Sequence, residues 1–312
     1  MIDYDHDISA IDADLIRHGM ASIHLVRAGE QAALVDCGTG HSLPRVQAAL
    51  AQKGIAPAAL RYIILTHVHL DHASGAGAMM RAFPNAQLVV HPRGARHMID
   101  PSKLIAGATA VYGEQAMADM YGDILPVDAA RVIETHDGFV LDFNGRPLEF
   151  IDTPGHARHH HCIWDARSQG WFTGDTFGLA YPECTVDGRA FIFPTSSPVQ
   201  FEPAAMQASV ERMLARDPQA MYLTHYGKVT GVPALGRALL ARIAAHVAIA
   251  KACAGAGEGR KQALLDGLEK LLLDELRAHG STLSRDQAMA VWGLDIELNA
   301  QGLEVWLDSA AA

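Results

Sequence analysis

The chain has 312 residues, enough to bury a sizeable core in one large domain with an appendage. Hydrophobic residues make up 49% and charged ones 19%, which excludes disorder as the main state. Lysine and arginine total 25 against 35 aspartate and glutamate, a net charge of −10 that repels phosphate backbones and argues against nucleic acid as a partner.

The first residues carry Asp3, Asp5, Asp7, Asp12 and Asp14 in place of a basic segment followed by an apolar one, so no secretory signal is expected. From Ile23 to about His225, short runs rich in β-branched and aromatic residues alternate with turns holding Gly, Pro or Asp. Strands are predicted over 23–27, 32–36, 62–66, 87–90, 148–152, 161–164, 171–173 and 221–224. Helical spacing appears over 43–52, 74–82 and 203–214, which makes the class mixed α and β. After Gly231 the pattern changes, with Leu235, Leu239, Ile243 and Val247 recurring every four residues and a second amphipathic run over 263–278. A Gly-rich stretch over 254–259 separates these helices, so the chain divides into residues 1–231 and a helical layer or subdomain over 232–312. The Leu and Trp stripe of that tail suits a core or a homodimer contact. Its most apolar run is interrupted by Arg237, Arg242 and His246, which argues against a bilayer span. Cys37, Cys162, Cys184 and Cys253 lie far apart with no CxxC pair, as expected of reduced thiols in a cytoplasmic protein.

Histidine is abundant, with 17 copies, and one segment concentrates it. The predicted strand 62–66 runs into His67, His69, Asp71 and His72, the pattern HxHxDH. Alternate residues on a turn leaving a strand can point the same way, so His67 and His69 can share one ion while Asp71 and His72 face another. Imidazole nitrogen and carboxylate oxygen are donors that zinc accepts. Other predicted strands lead in the same manner to His156 through Thr153-Pro154-Gly155, to Asp175 through Gly174, and directly to His225. These seven side chains exceed the ligand number of one tetrahedral zinc and suit two ions sharing a carboxylate.

On those residues the chain resembles the metallo-β-lactamase-fold hydrolases, with a ligand set similar to that of the glyoxalase II branch. The resemblance covers about residues 20–230 and implies an α+β four-layer αββα sandwich, here with a C-terminal helical extension and with residues 1–231 as the catalytic domain. It implies that His67, His69 and His156 hold one metal, that Asp71, His72 and His225 hold the other, and that Asp175 bridges both. The implied cofactor is a pair of Zn2+ ions, with Fe or Mn as alternatives. The implied activity is hydrolysis of a thioester or related activated ester by a metal-bridging hydroxide, with Asp71 able to protonate a leaving group. Glutathione-thioester hydrolases of that branch use basic residues of C-terminal helices to hold glutathione, a pattern not matched in this tail. A lactonase with the same site and a mononuclear iron persulfide dioxygenase are the alternatives. The partner is a small-molecule substrate.

His160 stands where related enzymes repeat a histidine four residues after the ligand, and is assigned a supporting role beside the ligands. Asp36, in Leu34-Val35-Asp36-Cys37-Gly38, resembles the strand-end aspartate that supports the ligand turn. His159 and His161 are expected on a strand or at the surface. The aromatic, proline-rich passage over 177–203 can form a pocket wall with Tyr181 and Phe193, and residues 98–121 can form another. Tyr226, beside His225, can hydrogen-bond a substrate oxygen.

Overall fold

A computed structural model describes every residue except Ser197, Pro198 and Ala312. Contacts group the chain into two units, the first comprising Met1–Asp152, His159–Gly174 and Ala220–Lys228, the second Thr153–Arg158, Asp175–Gln219 and Val229–Ala312.

The first unit is built on two mixed sheets. One sheet takes β1 (Ile2–Tyr4), β2 (Ile8–Asp12), β3 (Ser22–Ala28), β4 (Gln31–Val35), β5 (Leu60–Ile64), β6 (Gln87–Val90) and β7 (Val132–Glu134) in chain order. Strands β1 to β4 pair antiparallel, and β4 to β7 pair parallel. Parallel neighbours need long crossovers. These hold α1 (Leu43–Gln52), a short α2 (Leu70–Ala73), α3 (Ala76–Ala82), α4 (Pro92–Ile99), α5 (Ser102–Tyr112) and α6 (Glu114–Tyr121). The other sheet runs β8 (Val140–Phe143), β9 (Arg146–Asp152), β10 (His161–Asp165), β11 (Gly170–Gly174), β12 (Ala220–Leu223) and β13 (Gly227–Val229). Here β11 and β12 pair parallel, while β8 to β11 pair antiparallel.

The sheets share one core. Ile8, Val26, Val35, Ile64 and Val89 from the first meet Phe143, Leu148, Phe150, Ile163 and Phe172 from the second. Burying each such side chain contributes about 1.5–3 kcal/mol. The alternation in β8, with Val140 exposed and Leu141 and Phe143 buried, shows how a period of two assigns one face to this core. A polar clamp fastens one end of the sandwich. Arg146 makes a bidentate pair with Asp165, at 3.1 and 2.6 Å, and its remaining nitrogen donates to the carbonyls of His6 and Arg27 in the other sheet, at 2.7 and 2.9 Å. Both charged partners are buried.

The second unit contains α7 (Pro203–Leu214), α8 (Val232–Cys253), α9 (Arg260–His279) and α10 (Arg285–Ala311). By length and composition α8 could cross a membrane. In this unit it packs against α7, α9 and α10, and its Arg242 and His246 are buried. Arg242 pairs with Glu275 of α9, donates to the Ile192 carbonyl and lies over the Phe191 ring at 4.1 Å.

The expected mixed class, two-sheet core and helical tail are present. Strand β6 and helices α1 and α7 have the predicted bounds. The helix expected from residue 74 starts instead at Ala76, because α2 takes up the preceding turn. The acid-rich N-terminus contributes two strands, and β2 is buried at every position. Its aspartates, apart from Asp3 at the centre of β1, fall in the turn between the strands or at and just beyond the end of β2, and they mask the Ile8, Ala10 and Ile11 core positions in the composition. Helices α4 to α6, strands β7, β8 and β13 and the third tail helix also lie beyond the predicted elements.

Two predictions follow from burial. Arg146→Ala strands the Asp165 carboxylate in the interior and should cost about 3–5 kcal/mol, read as a drop in the urea midpoint; a change below about 1 kcal/mol would refute the clamp. His24 and His246 are fully buried, and burial pushes the pKa of each down to about 4. The unfolded chain, with histidine near 6.5, then binds more protons than the native one as pH falls from 6.5 toward 4. Stability is lost over that window by up to about 3 kcal/mol per group, and His24→Phe with His246→Phe should flatten the decline in urea midpoint.

Candidate metal centre

In the first unit, the chain leaving β5 does not turn loosely through HxHxDH. His67 and His69 lie on the extended exit, with His69 at φ −67° and ψ 152° preceding α2, and Asp71 and His72 lie on that short helix. A helical turn therefore carries the pair expected on a turn. Loop 36–39 braces it from the side, where Cys37 N–H donates to the His72 carbonyl at 2.9 Å and Gly75 N–H to the Gly38 carbonyl at 3.0 Å.

Asp36 directs the rest. It follows β4 at φ 59°, a left-handed conformation that aspartate tolerates better than most residues. One of its oxygens accepts from Thr66 N–H at 2.8 Å and Thr66 Oγ1 at 2.9 Å; the other accepts from His72 Nδ1 at 2.9 Å and Thr224 Oγ1 at 2.7 Å. One buried carboxylate thus ties the ends of β5 and β12 to α2. Because Thr66 Oγ1 gives its hydrogen to Asp36, it accepts from His67 Nδ1 at 3.2 Å. His225 Nδ1 donates to the Met20 carbonyl at 2.8 Å. Hydrogen bonding at Nδ1 leaves Nε2 of each ring with a lone pair for a metal.

Those lone pairs have a common target. His72 Nε2 lies 3.4 Å from Asp71 Oδ2, His225 Nε2 lies 3.2 Å from the same oxygen, and the two Nε2 atoms are 3.4 Å apart. Ligands at about 2.0–2.2 Å on a tetrahedral ion are separated by roughly 3.3–3.6 Å. The donor set and its spacing fit a divalent cation. Burial opposes ionisation of Asp71, yet the neighbouring His72 and His225 hold its carboxyl well below the usual carboxylate range. The His67 ring sits against His72 with centroids 4.0 Å apart and against His69 at 4.5 Å.

The predicted helper His160 is buried and stacks on His67 at 4.8 Å. Gly174 is obligatory beside it, since a Cβ there would come within 2.6 Å of both His160 Nε2 and Thr66 Oγ1. His159 is half-buried and its Nδ1 accepts from Val68 N–H at 3.3 Å, a contact on the ligand loop that the sequence did not reveal. His161 is a strand residue, buried, with Nε2 donating to the Leu65 carbonyl at 2.7 Å; burial lowers its pKa to about 3. Tyr226 is buried beside Asp12, and burial, followed by that carboxylate, raises its pKa well above the ordinary phenol value.

The second unit carries the other two predicted ligands. His156 Nδ1 donates to the Thr195 carbonyl at 3.4 Å, and its Nε2 lies 3.4 Å from Asp175 Oδ2, the same arrangement of outer partner and inner neighbour. Gly155, at φ 130°, makes the turn before it and abuts α7 so closely that a Cβ would lie 2.2 Å from the Met206 nitrogen. Thr176 Oγ1 donates to the Thr153 carbonyl at 3.2 Å and ties the two ligand turns together. Tyr181 and Phe193, expected in a pocket wall, are instead fully buried. Tyr181 donates to Asp295 at 3.2 Å, and Phe193 packs edge-on to Trp292 at 5.6 Å, so their apolar surface is spent on the core of this unit. Of the aromatic passage, Ser197 and Pro198 lie outside the described residues.

The remaining positioning groups were invisible as motifs because two of them, Met20 and Thr195, act through main-chain carbonyls. Thr66 and Thr224 were legible in principle, since each directly precedes a ligand histidine at a strand end.

Comparison with known proteins places these observations. The sequence pattern of the metallo-beta-lactamase superfamily matches residues 16–225. A metallo-beta-lactamase fold-containing protein of Sulfurisphaera tokodaii is 28% identical over 175 residues, 55% of this chain and 62% of its own. The solved structure of an archaeal metallo-beta-lactamase superfamily protein from Sulfolobus tokodaii matches with a TM-score of 0.65 and 21% identity over 96% of this chain and 99% of that one. A hydroxyacylglutathione hydrolase of Aeromonas salmonicida is 30% identical over 65% of this chain and 60% of its own, and an atrochrysone carboxyl ACP thioesterase of Aspergillus fumigatus 26% over 49% and 38%. The chain thus spans between about two fifths and three fifths of these curated relatives.

Replacing Asp36 by Asn preserves shape but removes an acceptor that serves His72, Thr66 and Thr224. Zinc affinity of Asp36→Asn, measured by chelator competition, should fall about 10- to 100-fold. Undiminished affinity would show that the carboxylate does not orient the ligands.

Proposed function

The chain belongs to the metallo-beta-lactamase superfamily, and on that premise we propose that it is a dinuclear metal-dependent hydrolase acting on a thioester or a related activated ester. The observation that carries this reading is the triangle of Asp71 Oδ2, His72 Nε2 and His225 Nε2, whose sides of 3.2–3.4 Å match the edges of a tetrahedral cation site.

In this reading Asp71, His72 and His225 would hold one metal ion and His67, His69 and His156 the other, with Asp175 as a carboxylate donor to the pair. Iron or manganese would suit the same donors. Two such cations would lower the pKa of a shared water toward neutrality and polarise a substrate carbonyl. The protein's own share is orientation. Asp36, Thr66 and the Met20 and Thr195 carbonyls fix the imidazole tautomers of His72, His67, His225 and His156, so these four rings need not reorganise as negative charge builds on the substrate. A thiolate departs without a proton. An alkoxide needs one, and Asp71, with its side chain 28% exposed, is placed to pass it.

Two named relatives favour a thioester, one a hydrolase of hydroxyacylglutathione and the other a thioesterase. A small-molecule substrate and a cytoplasmic location belong to the same proposal; Cys37, Cys162, Cys184 and Cys253, which are thiols and not disulfides, accord with a reducing compartment.

Elemental analysis with a panel of thioesters, lactones and β-lactams tests the reading. About two zinc ions per chain with thioester turnover are expected. One iron per chain, with oxygen consumed on a persulfide, would overturn it. His69→Ala and Asp175→Ala should each abolish hydrolysis and lower bound metal, and full activity at unchanged metal content in either would contradict the ligand assignment.

A further inference from the structure

We propose that Asn299, on the C-terminal helix α10, is a positioning residue for the metal ligand His156, acting through the backbone of residues 194–196. The proposal rests on the hydrolase reading above and assigns that helix a task at the site.

His156 Nδ1 donates to the Thr195 carbonyl at 3.4 Å, and that bond sets the plane of the ring. A carbonyl holds a ring in place only if its own peptide cannot rotate. Asn299 supplies that restraint on both sides. Its Nδ2 donates to the Pro194 carbonyl at 3.0 Å, and its Oδ1 accepts from Ser196 N–H at 2.6 Å and from Ser196 Oγ at 3.3 Å. Ser196 Oγ also reaches the main-chain carbonyl of Asn299 at 3.1 Å. Asn299 is 1% exposed, Ser196 0% and Thr195 7%, so water cannot replace these bonds. Upstream, Arg242 of α8 donates to the Ile192 carbonyl, so the segment approaching the ligand is fastened from two tail helices.

The amide suits the task. An amide, with a donor and an acceptor on one planar end, can bind a carbonyl and an N–H two residues apart along one segment. Asn299 lies outside residues 16–225, the part that carries the superfamily pattern, so this restraint comes from the tail.

The test uses the full chain and reads metal binding, not turnover. Stepwise zinc dissociation constants from chelator competition and the absorption spectrum of the cobalt-substituted protein are compared for wild type, His156→Ala, Asn299→Ala and Ser196→Ala. Asn299→Ala should weaken the zinc step that His156→Ala abolishes by about tenfold, leave the other step unchanged, and shift the cobalt bands. Ser196→Ala keeps both amide bonds to the backbone and should leave that step within about twofold of wild type. If Asn299→Ala does not fold, Asn299→Asp carries the same test, because it keeps the acceptor for Ser196 N–H and loses the donor to Pro194. Equal weakening of both steps, or an unshifted cobalt spectrum, would overturn the proposal by reducing Asn299 to a general stabiliser. Should His156→Ala itself retain both zinc ions, the ligand assignment fails first, and the two failures are told apart.

Discussion

The carboxylate of Asp36 is the constraint on which the placing of the first unit's candidate ligands depends. It is buried, and it accepts four hydrogen bonds from Thr66, His72 and Thr224, residues that belong to three separate elements. A buried anion left without donors would cost several kcal/mol, so the fold must bring those elements together to satisfy it. Bonds to a charged acceptor contribute about 1.5–3 kcal/mol each, which offsets both desolvation and the left-handed backbone that the residue adopts. The ligand geometry is a by-product of that satisfaction: when Thr66 and Thr224 are anchored, His67 and His225, one position further on, emerge at fixed heights from the sheet.

Four of the candidate ligand histidines then follow a common rule with different partners. Nδ1 is engaged by a carboxylate at His72, by a hydroxyl at His67, and by a carbonyl at both His225 and His156. The outcome is the same tautomer in each ring, with Nε2 left to accept. Two such lone pairs at 3.4 Å repel one another unless positive charge lies between them. The arrangement is therefore costly as a solvated cluster and favourable as a cation site.

What the sequence revealed follows from which signals are carried by side chains. Strand ends are legible because aromatic and β-branched runs such as Tyr62, Ile63 and Ile64 give way within a few residues to polar ones, and all of the predicted ligands do lie just beyond strands or on α2. The acidic beginning concealed β1 and β2 because its aspartates outweigh the few core residues in composition. The Asn144-Gly145 turn joining β8 to β9, both residues at positive φ, was a hairpin signal that went unread. Tyr181 and Phe193 misled because an aromatic stretch between two ligands looks alike whether it faces a substrate or a helix. Trp292 and Asp295, more than 90 positions away, decide which, and no local pattern reports them. Carbonyl partners leave no trace at all, since every residue has one.

The same reasoning applies to His156 and Asp175, the candidate ligands of the second unit. His156 and Asp175 lie on irregular turns, not on strands, so no ladder of main-chain hydrogen bonds holds them. Their stiffness has to come from outside: Thr176 to the Thr153 carbonyl, Ser209 to the Pro154 carbonyl at 2.7 Å, and Glu202 N–H to the Gly155 carbonyl at 2.8 Å. Helix α7 supplies two of these braces to the turn, while Asn299 of α10 holds the peptides on either side of Thr195 and Arg242 of α8 holds the Ile192 carbonyl upstream. A ligand on a turn held this way is as well oriented as one on a sheet, because what fixes an imidazole is the number of satisfied bonds around its Nδ1 partner and not the class of element that bears it.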